Sequence, residues 1–291
     1  MTKGKNRLLC ASIVAVSCAA AGAAAAQTSG GTVAEKSAEI AGARVFLGLR
    51  LWANQWQVPT TYTQVVVTNP ATGALGLRAV DRTVQSNTRF VPIPVAGVQY
   101  GKILASASFF PTTSYSTKGE LNRDVGRREF DLNIGYAILP SLVLSVGYKD
   151  AKINGFSNTI ANDRYTIRAL LLGVSGSAPL TTSLSMYGNF AYGPHRQKGD
   201  APDVGGGTKY SGTYTIGEFG LSYRLHQANT GGIPSSVSMS IGYRFQSVRT
   251  NGITYGTTTL PGAGPTTVLN SENRDISSST SGPVIAVSAV F

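Results

Sequence analysis

The chain has 291 residues, a formal net charge of +11 and only 13% charged residues, although 42% of its residues are hydrophobic. A soluble domain usually contains about 25% charged residues, so this composition is unusual for one. Beyond the N-terminal segment no run reaches about 18 consecutive apolar residues, which excludes transmembrane helices from the rest of the chain.

The first 26 residues have the three parts of a secretory signal peptide. Lys3, Lys5 and Arg7 form a positive start, residues 8–26 are uncharged and rich in alanine, and the run ends in the letters AAAQ. Small residues in this arrangement form a signal peptidase site, so we predict cleavage after Ala26 and export through the general secretory route. A membrane-anchoring helix is the alternative, because about 20 apolar residues can span a bilayer.

Loss of this segment changes the chemistry of the mature chain. Both cysteines, Cys10 and Cys18, lie within it, so the mature chain has no disulfide to stabilise it. Its three basic residues also leave, which lowers the net charge from +11 to +8. For an exported protein this excess favours outer-membrane lipids and lipopolysaccharide, or small anionic solutes, as partners, and it does not indicate nucleic acid.

The next elements in chain order are a polar segment and a first strand. Residues 27–42 are small and polar without a sustained period, and we interpret them as a periplasmic stub. A two-residue period begins at Ala43, which indicates a β-strand with two different faces. One face of this strand is uniformly aliphatic, whereas the other mixes aromatic, polar and charged residues; the aliphatic residues are Val45, Leu47, Leu49 and Leu51.

The same alternation recurs to the end of the chain and predicts about ten antiparallel strands. Three strands share a glycine–tyrosine pattern (LNIGY, LSVGY and MSIGY) in which the tyrosine joins the apolar face, as at a membrane–water interface. Residues 60–86 form a candidate hairpin above the first two strands, and Pro92 and Pro94 predict a late start for the second. The predicted strands are 43–56, 90–100, 102–115, 126–138, 142–154, 163–176, 182–193, 213–226, 236–248 and 280–291.

The connections between these strands are of two kinds. Tight turns follow residues 138 and 177, whereas long polar segments occupy 57–89, 117–125, 194–212 and 250–274. Short turns at one end and long loops at the other are typical of a membrane barrel. We therefore predict an all-β fold for residues 43–291, a transmembrane antiparallel up-and-down β-barrel of about ten strands, with eight or twelve as alternatives.

The last strand carries the family resemblance. It ends on an aromatic residue, and four residues share its apolar face: Ile285, Val287, Ala289 and Phe291. Here the chain resembles the Gram-negative outer-membrane β-barrel superfamily, whose members end in such a strand. The resemblance implies an outer-membrane location and recognition of the final strand by the barrel-assembly machinery. Ala289 stands where the family usually has a tyrosine.

The predicted register fills the inside of the barrel with charge. Glu129 and Asp131 lie one strand from Lys149, so cross-strand ion pairs are expected. About eight strands enclose just enough space for side chains to fill, whereas open pores need about 16, so a filled or very narrow lumen is expected. The predicted inward cations and acids are Arg44, Arg50, Lys102, Arg127, Lys149, Arg164, Arg168, Arg224 and Arg244, with Glu129, Asp131 and Glu218.

These features favour a structural barrel or a narrow anion-preferring channel. A surface adhesin or ligand-binding barrel that acts through its extracellular loops is the alternative. Small barrels of the superfamily also include omptin proteases and lipid A-modifying enzymes, which use histidine with acid or serine partners. We place His195 in a loop with Asp200 and Asp203, and Ala228 replaces the serine that a deacylase would need after His226. We therefore predict no enzymatic activity, and the absence of metal-binding or phosphate-binding motifs predicts no cofactor.

Overall fold

The computed structural model of the chain describes residues 43–69, 74–118, 124–154, 164–199, 209–227, 235–254 and 273–291. The predicted signal peptide and periplasmic stub lie outside these ranges. In the described part of the chain, no helix has the length and hydropathy that a membrane span requires.

The described residues form eleven β-strands of one antiparallel sheet. They are β1 (Ala43–Asn69), β2 (Ala74–Ser86), β3 (Arg89–Tyr100), β4 (Ile103–Lys118), β5 (Asp124–Leu139), β6 (Leu142–Asn154), β7 (Arg164–Pro179), β8 (Leu184–Gly199), β9 (Lys209–Gln227), β10 (Ser236–Thr254) and β11 (Asn273–Val290).

The sheet closes into a ring because the last strand pairs with the first. Leu49 of β1 lies opposite Val287 of β11, and the backbone N–H of Phe291 donates to the carbonyl oxygen of Val45 at 2.8 Å. From β3 to β11 each strand pairs with its neighbours in the sequence, which gives an up-and-down barrel. A closed ring satisfies every ladder without an exposed edge, which is what a β-structure needs inside a bilayer.

The arrangement of the first three strands explains why eleven β-strands form a barrel wall of only ten strands. The lower part of β1 pairs with β3, whereas residues 57–69 pair with β2 as a separate hairpin. Strands β2 and β3 therefore act as one long strand that is interrupted at residues 87–88. The wall thus has ten strands, as the sequence predicts, and the hairpin predicted for residues 60–86 is confirmed as an extension of it.

Proline explains an irregularity in the wall between β3 and β4. These strands pair only from Val95 opposite Ser108 to Tyr100 opposite Ile103, although β3 pairs with β1 along its whole length. Pro92 and Pro94 lie two residues apart, so both direct their donor-less nitrogen toward the same neighbour. The two prolines thus shorten the ladder with β4, whereas the strand itself starts at Arg89 and not late.

The outer surface of the barrel is an apolar belt. Ile134 and Leu172 are 65% and 69% exposed, and the tyrosines of the three repeated patterns (Tyr136, Tyr148 and Tyr243) also point outward. On β5 the belt spans residues 130–138, which matches the roughly 9–11 residues that a tilted strand needs to cross the hydrocarbon core. A soluble lipocalin-like barrel would place these side chains inside.

Several strands extend beyond their predicted ends. Strand β8 continues to Gly199, β9 begins at Lys209, and β10 continues to Thr254, so parts of the segments predicted as loops (194–212 and 250–274) are strand. The reason is that the outward face above the belt meets water and no longer carries the hydrophobic alternation that reveals a strand. All these extensions lie at the end with long connections, whereas residues 101–102, 140–141 and 180–183 define the short-turn end.

Candidate functional site

The lumen of the barrel is the candidate site, because most of the buried charges of the described residues lie there. The residues that line the lumen differ between the short-turn end and the long-connection end of the barrel. Near the short-turn end the inward positions carry small hydroxyl residues such as Ser106, Ser185 and Ser288, together with buried apolar side chains such as Phe46 and Leu104. Charged side chains occupy the middle, and aromatic and aliphatic side chains fill the lumen toward the long-connection end.

The first charged cluster is centred on Glu129 of β5, which is 3% exposed. One carboxylate oxygen pairs with Arg127, and the other lies 2.6 Å from Lys149 Nζ. Lys149 also contacts Asp131 Oδ1 at 2.7 Å, and Asp131 accepts a hydrogen bond from Ser108 at 3.2 Å. The two ion pairs of Lys149 join neighbouring strands β5 and β6, as the sequence register predicts.

Arg127 links this cluster to the opposite wall. Its Nη1 donates to Thr280 Oγ1 at 2.6 Å, and its Nη2 donates to the side-chain carbonyl of Gln246. The guanidinium also lies 5.7 Å from the Trp56 ring and 5.5 Å from the Phe110 ring, distances at which cation–π attraction is effective. Arg127 therefore crosses the lumen and leaves little room for a solute.

The second charged cluster is centred on Glu218 of β9. Arg244 Nη1 donates to Glu218 Oε2 at 3.0 Å, Tyr187 donates to Oε1 at 3.2 Å, and Arg50 Nη1 lies 4.0 Å from Oε2. Glycine makes space for this arrangement, because a Cβ at Gly242 would overlap the backbone carbonyl oxygen of Phe219 and lie 2.6 Å from the Tyr187 hydroxyl oxygen. The glycine of the MSIGY pattern thus gives room to a long lumen side chain.

An apolar layer closes the lumen toward the long-connection end. Trp56, Tyr214 and Ile216 pack there with further aliphatic side chains from β5 to β10. A cavity lined by Trp56, Glu129 and Gln246 has a volume of only about 10 Å³, which is room for roughly one water molecule. These side chains therefore leave no room for a larger solute in this part of the lumen.

The structure confirms part of the predicted set of inward charges. Fully buried in the lumen are Arg50, Arg127, Glu129, Lys149, Glu218 and Arg244. Asp131 and Arg224 are half-buried on the same inner surface, and Arg224 donates to Gln227 at its exposed lower end. Arg44 has the inward register but lies exposed at the rim.

Other predicted lumen charges are wrong. Arg168 points outward, with its side chain 65% exposed, because β7 continues the register in which Leu170 and Leu172 face lipid. Lys102 lies exposed in the turn between β3 and β4. The side chain of Arg164 lies outside the described residues. With the half-buried Asp131 and Arg224 included, the described lumen holds five cations against three acids, so the excess of about six cations that the sequence register implied is reduced to two.

The predicted position of His195 is also wrong. It lies on β8 and not in a loop, is 2% exposed in the lumen, and its Nε2 is 3.2 Å from Thr250 Oγ1, which donates to Gln197. No acid among the described residues pairs with it, and Asp200 and Asp203 lie outside those residues. His226 is exposed at the short-turn end of β9, as expected.

A band of cations, which sequence reasoning missed, lies on the outer surface of strands β5 to β9 above the apolar belt. Arg128 lies opposite Lys152, Arg168 lies opposite Arg196, and higher up Lys198 lies opposite Lys209. Like charges directly opposite on neighbouring strands destabilise a sheet unless an anion lies between them. We call these six residues the basic collar. Only Arg168 has an ion pair with a described residue, at 3.1 Å to Asp150.

No protein-family model matches the chain, and no curated protein matches it. Among solved structures, the outer-membrane protease OmpT of Escherichia coli is 12% identical, with 85% of this chain and 97% of that chain covered and a TM-score of 0.46. The toluene transporter TodX of Pseudomonas putida is 11% identical, with coverages of 94% and 95% and a TM-score of 0.27. A FadL homologue of Pseudomonas aeruginosa is 9% identical, with coverages of 87% and 90% and a TM-score of 0.28. At this level of similarity neither protease activity nor transport transfers to this chain.

Proposed function

We propose that this protein is an integral barrel of the bacterial outer membrane that acts as a structural component and not as an open pore. The single observation that carries the proposal is a lumen packed across its whole section beneath an outward apolar belt. The short-turn end would face the periplasm and the long connections the exterior. Phe291 and the apolar face of β11 would serve the barrel-assembly machinery during insertion.

The packed lumen favours this structural role over a narrow anion-preferring channel. A path through the charged layer would have to displace Arg127, which four neighbours hold in place from several strands. Buried ion pairs that keep their hydrogen bonds are costly to break one partner at a time. An anion-preferring conductance would therefore require movement of this layer.

The basic collar supports lipopolysaccharide as a partner. Its cations begin where the apolar belt ends, for example at Arg128 after Phe130 and at Arg196 after Tyr192 and Pro194. Phosphate groups of lipid A would lie at this height, and arginine binds phosphate through two parallel hydrogen bonds. Anionic headgroups would also relieve the repulsion between the opposed cations.

A surface-binding role is the second candidate, and the β1–β2 hairpin favours it. Residues 57–69 extend past the barrel wall, over about 40 Å at 3.3–3.4 Å per residue. A paired hairpin of this length offers open strand edges above the membrane to an extended peptide. Removal of residues 60–83 would abolish binding to host or bacterial surfaces if the hairpin carries this role, and would leave the barrel intact.

Electrical recording tests the structural proposal. The mature protein, purified from outer membranes and inserted into a planar lipid bilayer, should show no steady conductance in 1 M salt. A triple variant should conduct if packing alone closes the lumen. Its substitutions are Trp56→Gly, Tyr214→Ala and Arg127→Ala. Steady, anion-selective conductance of the unmodified protein would contradict the structural role and support the channel.

A further inference from the structure

Arg50 is the least well paired charge of the lumen. It is 1% exposed, and among the described residues its only ion-pair partner is Glu218 Oε2 at 4.0 Å, an oxygen that already accepts from Arg244 at 3.0 Å. The Nε and Nη2 groups of Arg50 have no hydrogen-bond partner within the described part of the chain. A buried guanidinium normally has its donors satisfied, because an unpaired charged donor is costly in a dry environment.

Other polar atoms without a partner lie on the facing wall. Four inward residues form a row across strands β7 to β10, in which each residue lies opposite the next. In strand order they are Ser175, Asn189, Glu218 and Arg244. Ser175 Oγ, both amide atoms of Asn189 and Nε of Arg244 lack a partner among the described residues. The row therefore presents several donors at the level where Arg50 reaches Glu218.

The charge balance around Glu218 indicates that the unpartnered donors bind an ion and not only water. Two guanidinium groups, Arg50 and Arg244, share the single carboxylate of Glu218. Arginine does not lose its proton in proteins, so this imbalance cannot be removed by deprotonation. Water molecules would satisfy the hydrogen bonds, but only an anion would neutralise the remaining charge.

We propose that Arg50 and Arg244, with Asn189 and Ser175, form a buried site for a small monovalent inorganic anion such as chloride. The packed apolar layer beyond it favours an ion of this size over phosphate. The site is independent of the proposed structural role, since a closed barrel can hold a resident ion.

Anion-dependent unfolding tests the site. The mature barrel, folded in a non-ionic detergent, is unfolded with urea in sodium chloride and in sodium gluconate at equal ionic strength. A ligand that binds only the folded state lowers the unfolding constant about tenfold for each tenfold rise in its concentration above the dissociation constant. We expect this saturable dependence with chloride and bromide, and not with gluconate. Equal unfolding in chloride and gluconate would overturn the proposal.

Two variants test whether the chloride dependence of unfolding arises at the proposed anion site. Asn189→Asp supplies a carboxylate beside Glu218, so it should stabilise the barrel in gluconate and abolish the chloride dependence. Arg50→Met should abolish the dependence by removing the main donor. Lys102→Met removes one exposed positive charge in a turn and is the matched control, which should keep the full dependence. A chloride effect that persists in the Asn189→Asp protein would refute the assignment.

Crystals soaked in sodium bromide give a direct measurement. Anomalous scattering should show one bromide between the Arg50 and Arg244 guanidinium groups, with Asn189 within hydrogen-bond distance. The same position should show no anomalous signal in crystals of the Asn189→Asp variant. Water density without bromide in the unmodified protein would contradict the proposal even if chloride alters its stability.

Discussion

Replacement of Glu129 by glutamine should destabilise the barrel far more than loss of a surface ion pair. The carboxylate pairs with both Arg127 and Lys149, the latter at 2.6 Å, and its side chain is almost fully buried. Glutamine keeps the shape but removes the charge, so among the described residues Lys149 keeps Asp131 as an acidic partner and Arg127 has none. Removal of one partner of a buried ion pair typically costs about 3–5 kcal/mol.

The surroundings place the expected cost near the lower end of that range. Lys149 keeps Asp131 at 2.7 Å, and Arg127 keeps Thr280 at 2.6 Å together with its two aromatic neighbours. We therefore expect a loss of about 3 kcal/mol in the free energy of unfolding, which is roughly a hundredfold change in the equilibrium constant. Urea titration of the detergent-folded barrel, followed by tryptophan fluorescence and gel mobility, measures this quantity.

Asp150→Asn is the matched control, because it removes a carboxylate from an ion pair on the outer surface. Arg168, its partner at 3.1 Å, has a side chain that is 65% exposed, and exposed pairs contribute about 0–1 kcal/mol. The Glu129→Gln and Asp150→Asn proteins should thus differ by about 2 kcal/mol or more. Equal losses in the two variants would refute the buried network as a source of stability.

Three further outcomes are expected. Gly242→Ala should cost about 1–3 kcal/mol in urea unfolding, because the new Cβ would overlap the backbone carbonyl oxygen of Phe219 and lie 2.6 Å from the Tyr187 hydroxyl. Gly126→Ala, with no described atom nearer than 3.8 Å, should be neutral or stabilising, and equal effects would contradict this packing. Replacement of Arg128 and Lys152 by glutamine should weaken copurification of lipopolysaccharide, measured by mass spectrometry, and the same change at Arg44 and Lys102 should not. Unchanged lipid content in the first variant would exclude the basic collar as the binding surface. Deletion of Phe291 should lower the amount of barrel in purified outer membranes, measured by quantitative immunoblot against the full chain; normal levels would mean that the final residue is not needed for assembly.

The architecture could be predicted from the sequence because a membrane barrel imposes a strict local rule. Each strand places its lipid-facing residues at every second position, so Leu47, Leu49 and Leu51 already indicate which face of β1 lies outward. The same rule predicts the ring of ten strands, the outward tyrosines and the apolar end of β11. The hairpin within residues 60–86 is also predicted from the sequence, whereas the interruption at residues 87–88 is apparent only in the structure.

The local rule failed where the belt ends. Arg168 has the same register as Leu170, but a charge at that position was assigned to the lumen because the sequence does not show the height at which lipid gives way to water. His195 was placed in a loop for the same reason, since strand β8 continues past the hydrophobic pattern. The opposed cations of the basic collar became apparent only when the register of neighbouring strands was known.

The sequence by itself therefore determined the fold class, the outward face and a lumen that contains charged side chains. Only the tertiary structure decided how those charges combine, because Arg127 reaches Gln246 and Thr280, and Arg50 shares Glu218 with Arg244, across strands far apart in the chain. Such contacts depend on barrel curvature and side-chain length, which periodicity along one strand does not contain. For this reason the sequence predicts a charged lumen, whereas the closed network and the unpartnered donors of Arg50 emerge only from the folded barrel.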